Sequence, residues 1–154
     1  MKLISYADLT KMRLKDYLGE DSDTEVEESG MMGLLFGGWE RFGETFFCWK
    51  QGETYQTAGV NLDFASDSPL PQPVAGQILQ RLGIPVRAGA TSFELLSAFG
   101  SPHRDRVGRP GTRLHDFVCG ETELFRIGCV VDDRDRLASL FIVRKDYCDE
   151  DDSI

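Results

Sequence analysis

The sequence lacks the features that mark secreted and membrane-spanning proteins. The start of the 154-residue chain, Met1 to Asp8, contains no apolar stretch of the kind a signal peptide needs. No window approaches the length of a transmembrane helix. The cysteines show no CxxC pair and are sparser than in a secreted disulfide scaffold. They are Cys48, Cys119, Cys129 and Cys148. We therefore expect reduced thiols and a bacterial cytoplasmic protein.

Basic residues are also scarce. The chain has 17 Lys and Arg against 26 Asp and Glu, a formal net charge of −9, with an isoelectric point near 4.7. Such a surface repels nucleic acid and anionic lipid and attracts basic proteins at long range. The one basic stretch, residues 103–113, is predicted to be a mobile loop that pairs with nearby acids. We expect a basic protein partner, no nucleic acid and no membrane.

Recognisable catalytic motifs are missing as well. The only histidines are His103 and His115, no G-x-S-x-G sequence occurs, and no glycine-rich stretch is followed by Lys-Ser or Lys-Thr. Nucleophilic catalysis needs a base beside the nucleophile, so a Ser–His or Cys–His pair would have to use one of these two histidines. We predict no catalytic residues and no cofactor, and a small hydrolase stays an alternative.

Metal-ligand spacings are absent too. His103, His115, Cys119 and Cys129 are ligand types for zinc, but their spacing fits no zinc pattern, and both cysteines are better explained as strand residues. The acidic run Asp132 to Asp135 lacks the glycine and the distal glutamate of a calcium-binding loop. The sequence therefore predicts no metal site and a charged turn at Asp132.

What is present is a pattern of helices and strands. Capping boxes, terminal glycines and alternating apolar residues predict an α+β fold with antiparallel sheet or sheets, the order α-βββ-αα-βββ, and helices packed on one face. The predicted helices run over Ser5–Leu18, Val74–Leu82 and Thr91–Phe99. The predicted strands are Met31–Phe36, Thr45–Lys50, Tyr55–Phe64, Thr112–Cys119, Glu123–Val131 and Leu137–Arg144.

The length suits a single domain over residues 1–154. The order of elements suggests two sub-halves, 1–66 and 73–146, and leaves open whether they share one sheet. An acidic stretch without any basic residue, 20–29, predicts a mobile loop, and the acidic tail, 147–154, is expected to fray.

Residues 84–144 resemble a known type of module. The segment Gly89-Ala90-Thr91-x-x-Glu94-Leu95-x-x-x-Phe99-Gly100-x-Pro102 is similar to one in small α+β modules of the SmpA/BamE and β-lactamase-inhibitor-protein type, in which two short helices precede an antiparallel meander. The hairpin from Asp132 to Leu140 matches the same pattern. The chain departs from the family in having no lipidation signal and no disulfide pattern. The resemblance implies a fold and a habit of binding proteins.

The leading hypothesis is a non-enzymatic, acidic protein-binding module, most concretely an immunity-type inhibitor that neutralises a basic bacterial toxin or effector. Clustered carboxylates speed the encounter with a basic cleft. Trp39 is predicted to lie in a Gly-Gly-Trp-Glu-Arg turn, where it either folds back onto its own sheet or is exposed as a typical hot spot for protein binding. The alternative is an accessory or assembly protein that binds a complex through a sheet edge or the helix pair. The predicted partner-binding residues are Asp21, Asp23, Glu25, Glu27, Glu28, Trp39, Asp132, Asp133 and Asp135.

Overall fold

A computed structural model describes residues 1–28 and 37–147 of the chain. The predicted strand Met31–Phe36 and the tail beyond Tyr147 lie outside the described residues. The helices are α1 (Tyr6–Thr10), α2 (Gln72–Leu82) and α3 (Ser92–Phe99), with 3₁₀ helices at Leu14–Tyr17 and Lys145–Tyr147. The strands are β1 (Glu25–Glu27), β2 (Gly38–Phe42), β3 (Thr45–Trp49), β4 (Gly59–Asp63), β5 (Arg104–Val107), β6 (Arg113–Cys119), β7 (Phe125–Val131) and β8 (Leu137–Arg144).

The predicted α+β fold with its α-βββ-αα-βββ order is wrong. One eight-stranded antiparallel sheet, in the order β1-β2-β3-β4-β8-β7-β6-β5, dominates the described part of the chain, and the helices on it are short. Each half contributes four strands. The difference comes from three strands that the sequence pattern did not indicate, namely the two edge strands β1 and β5 and the strand β2.

Both edge strands form in segments that were predicted to be mobile loops. β1 lies in the acidic stretch and pairs with β2 from Glu25–Arg41 to Glu27–Trp39. β5 lies in the basic stretch and pairs with β6. Neither segment alternates apolar and polar residues, because an edge strand buries little side-chain surface. The backbone of an edge strand forms hydrogen bonds with the backbone of the neighbouring strand, and these bonds need no particular side chain.

The predicted first helix, Ser5–Leu18, is split into α1 and a 3₁₀ helix. Its predicted cap is confirmed, because Ser5 Oγ accepts a hydrogen bond from the Asp8 N–H at 3.1 Å. The helix ends early because residues from later in the chain form hydrogen bonds with its backbone groups. The Leu14 N–H donates to the Glu40 carboxylate at 2.8 Å, and the Thr10 carbonyl accepts from the Thr57 N–H at 3.3 Å. These bonds replace the ones that would continue the helix.

Helices α2 and α3 follow their predictions. α2 ends at Gly83, whose φ of +81° is the left-handed conformation that glycine adopts without strain. Thr91 caps α3 by accepting from the Glu94 N–H at 3.2 Å. Strands β3, β4, β6, β7 and β8 lie within the predicted ranges.

The two halves of the chain share the single sheet. Each consists of two helical segments followed by a four-stranded meander, and β4 meets β8 in five antiparallel residue pairs from Gly59–Val143 to Asp63–Ser139. The helices of the described part cover one face, here called the inner face. Its central row crosses five strands. The row is Phe47, Val60, Ile142, Ile127 and Phe117.

The opposite side is here called the outer face, and side chains reach it in alternation with those of the inner face. Its longest row runs across the whole sheet. The row is Glu25, Arg41, Phe46, Asn61, Phe141, Gly128, Asp116 and Arg104. All of these after Glu25 are half-buried, whereas the inner row is fully buried. The outer face therefore remains accessible over its centre.

Candidate functional site

The predicted acidic residues of the N-terminal half gather at one edge of the sheet. Asp21 and Asp23 are exposed and lead into β1, which carries Glu25 and Glu27 on the outer face, and exposed Glu28 follows. The Asp23 carboxylate lies 3.4 Å from the Lys15 ammonium and is 97% exposed. The edge therefore presents its carboxylates to solvent.

Trp39 lies in a strand, not in the turn that the Gly-Gly-Trp-Glu-Arg sequence suggested. It occupies β2 on the outer face, between Glu27 of β1 and Cys48 of β3. Its side chain is half-buried. The structure thus brings the predicted tryptophan and the predicted acidic segment together.

The other predicted acids, Asp132, Asp133 and Asp135, form the hairpin turn between β7 and β8. The Asp132 carboxylate accepts hydrogen bonds from the N–H groups of Arg134 at 2.9 Å and Arg136 at 3.0 Å. Desolvation raises the pKa of Asp132, but these N–H groups and the two guanidinium charges outweigh it and lower the pKa overall. Asp135, with a φ of +57°, accepts from the Ser92 N–H at 3.2 Å. Two of the three carboxylates therefore stabilise the turn and the start of α3.

The structure does not place the two acidic groups in one patch. Both lie at the same end of the sheet. Glu25 of β1, Thr45 of β3 and Asp63 of β4 all lie at this end, and Asp63 pairs with Ser139 close to the β7–β8 turn. Four strand spacings of about 4.8 Å separate β1 from β8, which is roughly 19 Å. A partner touching both groups would have to span that distance.

The centre of the outer face is apolar. The rings of Phe46 on β3 and Phe141 on β8 have centroids 5.8 Å apart. Half-buried Val130 and Leu114 extend this surface toward β5. Charge is distributed unevenly around it.

The two edges of the outer face differ in charge. At β1 the Glu25 carboxylate pairs with Arg41 at 2.8 Å beside the acidic segment. At β5 the arginines Arg104 and Arg106 join the face, and Arg106 lies 3.7 Å from the Asp116 carboxylate. The outer face is therefore acidic at one edge, aromatic in the middle and basic at the other edge.

A buried carboxylate ties the N-terminal segment to the sheet. Glu40, 1% exposed on the inner side of β2, accepts from the Leu14 N–H and, at 3.0 Å, from the Thr24 hydroxyl. The Arg13 guanidinium lies 3.5 Å from the same carboxylate and 3.6 Å from the centroid of the Tyr55 ring. These contacts fix the segment that precedes the acidic edge.

Sequence reasoning missed a cluster of Ser92, His115 and Asp105. Ser92 Oγ lies 3.1 Å from His115 Nε2, and His115 Nδ1 lies 2.6 Å from Asp105 Oδ1. His115 is 5% exposed under the start of α3. The sequence signals for Ser92 and His115 were present, namely the capping box and the alternation of β6. The position of Asp105 depends on β5, which the sequence did not indicate.

The candidate zinc ligands do not form a site in the described residues, where no group of three or more His, Cys, Asp and Glu side chains could hold a metal ion. Cys48, Cys119 and Cys129 are free and buried. Burial raises the pKa of all three thiols, that of Cys129 to about 12. These cysteines act as small apolar residues.

Comparisons with protein-family models, curated proteins and solved structures find no match for this chain. Among residues 1–28 and 37–147, no helix has the length and apolar character needed to cross a membrane.

Proposed function

We propose that this protein is an acidic protein-binding module whose outer face docks a basic protein, most concretely as a cytoplasmic immunity-type inhibitor of a basic bacterial toxin or effector. The observation that carries the proposal is the half-buried aromatic surface of Trp39, Phe46 and Phe141, which adjoins the acidic edge at β1.

The aromatic centre supplies the energy of docking. Large aromatic side chains at the middle of an interface bury much area and lose little conformational freedom, so they dominate affinity. The three aromatic residues stand on a continuous hydrogen-bonded sheet, and Phe46 and Phe141 come from different halves of the chain. A rigid surface of this kind needs no ordering when a partner binds.

The acidic edge selects the partner. The chain carries a net charge of −9, and Asp21, Asp23 and Glu28 are exposed beside the aromatic surface. Such carboxylates accelerate the approach of a basic protein, and they take the place of substrate phosphates in a basic cleft. The hairpin acid Asp133 lies too far along the sheet to join the same contact unless the partner is broad.

One further feature suits this proposal. Free, buried cysteines suit a reducing compartment such as the cytoplasm.

A second candidate function is the accessory or assembly protein, favoured by the two edge strands β1 and β5. Both are terminal strands of the sheet in the described part of the chain, and another chain could add a strand at such an edge. The charged residues along both edges, such as Glu25 and Arg106, oppose such pairing, which is why docking on the outer face is preferred here.

The test is a capture experiment with matched variants. The tagged protein is used to recover partners from its native cell lysate, with elution by a salt step and mass spectrometry. We expect a basic protein that is released as ionic strength rises past roughly 0.15 M, is lost with Trp39→Ala, and is retained with Phe93→Ala. Phe93 is 76% exposed on α3, away from the outer face. A partner that resists salt and binds the Trp39 variant normally would contradict the proposal and favour strand addition.

A further inference from the structure

Two hydrogen bonds link Ser92, His115 and Asp105 in a continuous chain. The proposed docking of a protein on the outer face does not require this chain. Asp105 and His115 are directly opposite on β5 and β6, so their side chains lie on the same face of the sheet. Ser92 is the first residue of α3, and its hydroxyl lies 3.1 Å from His115 on the same face. Each of the three side chains is therefore held by a different element.

The surroundings hold the serine in place. Thr91 caps the helix through the Glu94 N–H, and the Ser92 N–H is held by the Asp135 carboxylate. His115 is enclosed, with the ring of Phe117 centred 6.4 Å away. The hydroxyl of Ser92 thus has one fixed neighbour, which is the imidazole.

The partners of the imidazole determine its tautomer. With the Asp105 carboxylate ionised and the imidazole neutral, His115 Nδ1 carries the ring proton and donates it to that carboxylate at 2.6 Å. The lone pair of Nε2 then accepts from the Ser92 hydroxyl at 3.1 Å. This is the arrangement in which a histidine can remove the proton of a serine.

Ser92 also lies in a cleft of about 580 Å³ that opens to solvent. The next residue, Phe93, stands in the first turn of α3, and its N–H has no hydrogen-bond partner in the described part of the chain. A backbone donor directly after a nucleophile, at the positive end of a helix dipole, can stabilise the negative charge of an oxyanion.

We propose that Ser92 is a nucleophile for acyl transfer, with His115 as its general base and Asp105 as a positioning residue, and that the cleft accepts small carboxylic esters or thioesters with a cationic group. The preference for a cation follows from the residues that line the cleft, which include Asp132, Asp133 and Asp135 but only one basic residue, Arg113. This activity is independent of the docking surface on the outer face.

The proposed reaction balances without any further reagent. Ser92 Oγ bonds to the carbonyl carbon while its proton passes to His115 Nε2. The bond to the leaving alcohol or thiol breaks, and the leaving group takes that proton. Water then attacks the acyl-serine, His115 carries the water proton to Ser92 Oγ, and the carboxylic acid is released.

The first test is covalent labelling of the folded protein with diisopropyl fluorophosphate, followed by peptide mass spectrometry. We expect one adduct on Ser92 that is lost in Ser92→Ala, is slowed by roughly 100-fold in His115→Gln, and is unchanged in the controls Ser97→Ala and His103→Gln. Ser97 is exposed on the same helix, and His103 is the other, exposed histidine. A wild-type protein that remains unmodified at Ser92, or is labelled equally at Ser97, overturns the proposal whether or not the variants fold.

Two further readouts separate catalysis from a structural role. In Asp105→Asn, the ¹⁵N chemical shifts of the His115 ring should show loss of the Nδ1–H tautomer together with slower labelling, and unchanged shifts with unchanged labelling would overturn the role of Asp105. Acetylthiocholine should be hydrolysed with a kcat/KM above that of its uncharged isostere 3,3-dimethylbutyl thioacetate by roughly twofold to fivefold. Asp133→Asn should lower this ratio, and an unchanged ratio would overturn the substrate preference.

Discussion

The ring of Phe46 on β3 packs against the ring of Phe141 on β8, with centroids 5.8 Å apart, although β4 lies between the two strands. Asn61 of β4 occupies the same row between them. Because β3 belongs to the first half of the chain and β8 to the second, this contact joins the apolar surfaces of both halves. A single aromatic surface at the centre of the outer face is the result.

Reversing the charge of the acidic edge should slow association with a basic partner. In Asp21→Lys combined with Asp23→Lys, we expect the association rate constant to fall by about tenfold at low salt, because attraction at long range is replaced by repulsion. The difference should shrink as salt screens it. Stopped-flow measurements at several ionic strengths, with Asp67→Lys as an exposed control outside the acidic segment, provide the comparison. Equal rates for wild type and the double variant would show that this edge does not face the partner.

Removing the buried carboxylate of Glu40 should destabilise the fold. Glu40→Ala leaves the Leu14 N–H and the Thr24 hydroxyl without their acceptor, for an expected loss of about 2 kcal/mol in the free energy of unfolding. Glu40→Gln retains an acceptor oxygen and should lose about half as much. Urea unfolding measures both, with exposed Glu44→Gln as the control. A Glu40→Ala protein as stable as the control would contradict the role given to this carboxylate.

The described thiols should be inert in the native protein. Burial raises the pKa of Cys48 and Cys119 and brings that of Cys129 to about 12, so little thiolate exists at pH 8. In a Cys148→Ser background, a disulfide reagent such as Ellman's should react with under about a tenth of an equivalent until the protein unfolds, and then with all three cysteines. Rapid reaction of the folded protein would mean that these side chains are accessible.

Tyr147 should titrate unusually late. Burial, together with the hydrogen bond that its hydroxyl donates to Glu53 at 2.8 Å, raises the pKa of Tyr147 from 10.0 to about 12. The folded-state pKa lies above the unfolded one, so this group stabilises the fold fully below pH 10 and loses that contribution as pH rises from 10 toward 12. Absorbance titration at alkaline pH, compared between wild type and Tyr147→Phe, isolates its transition. A normal tyrosine transition near pH 10 at this position would contradict the contact with Glu53.

The elements that could be predicted from the sequence are those whose signals are local. α2 and α3 carry their own caps at Gly83 and Thr91, and β6 and β7 bury alternate residues on one face. The first helix could not be predicted correctly, because its end depends on hydrogen bonds from residues far along the chain, Glu40 and Thr57.

The edge strands had no local signal, and the positions of functional groups follow from them. Without β1, the acidic segment could not be placed beside Trp39, and without β5, Asp105 could not be placed opposite His115. The acidic residues themselves were evident from composition. Their separation from the turn at Asp132 could not be foreseen, since it depends on the strand order at the junction of β4 and β8.

Calorimetric titration of the captured basic partner into wild type, Phe141→Ala and Phe93→Ala is the most direct test of docking on the outer face. Loss of the central ring in Phe141→Ala should weaken binding by about tenfold, equivalent to ~1.4 kcal/mol, while Phe93→Ala binds as wild type does. Circular dichroism would confirm that both variants stay folded. Equal affinity for wild type and Phe141→Ala, or a loss confined to Phe93→Ala, would contradict a contact at the outer face.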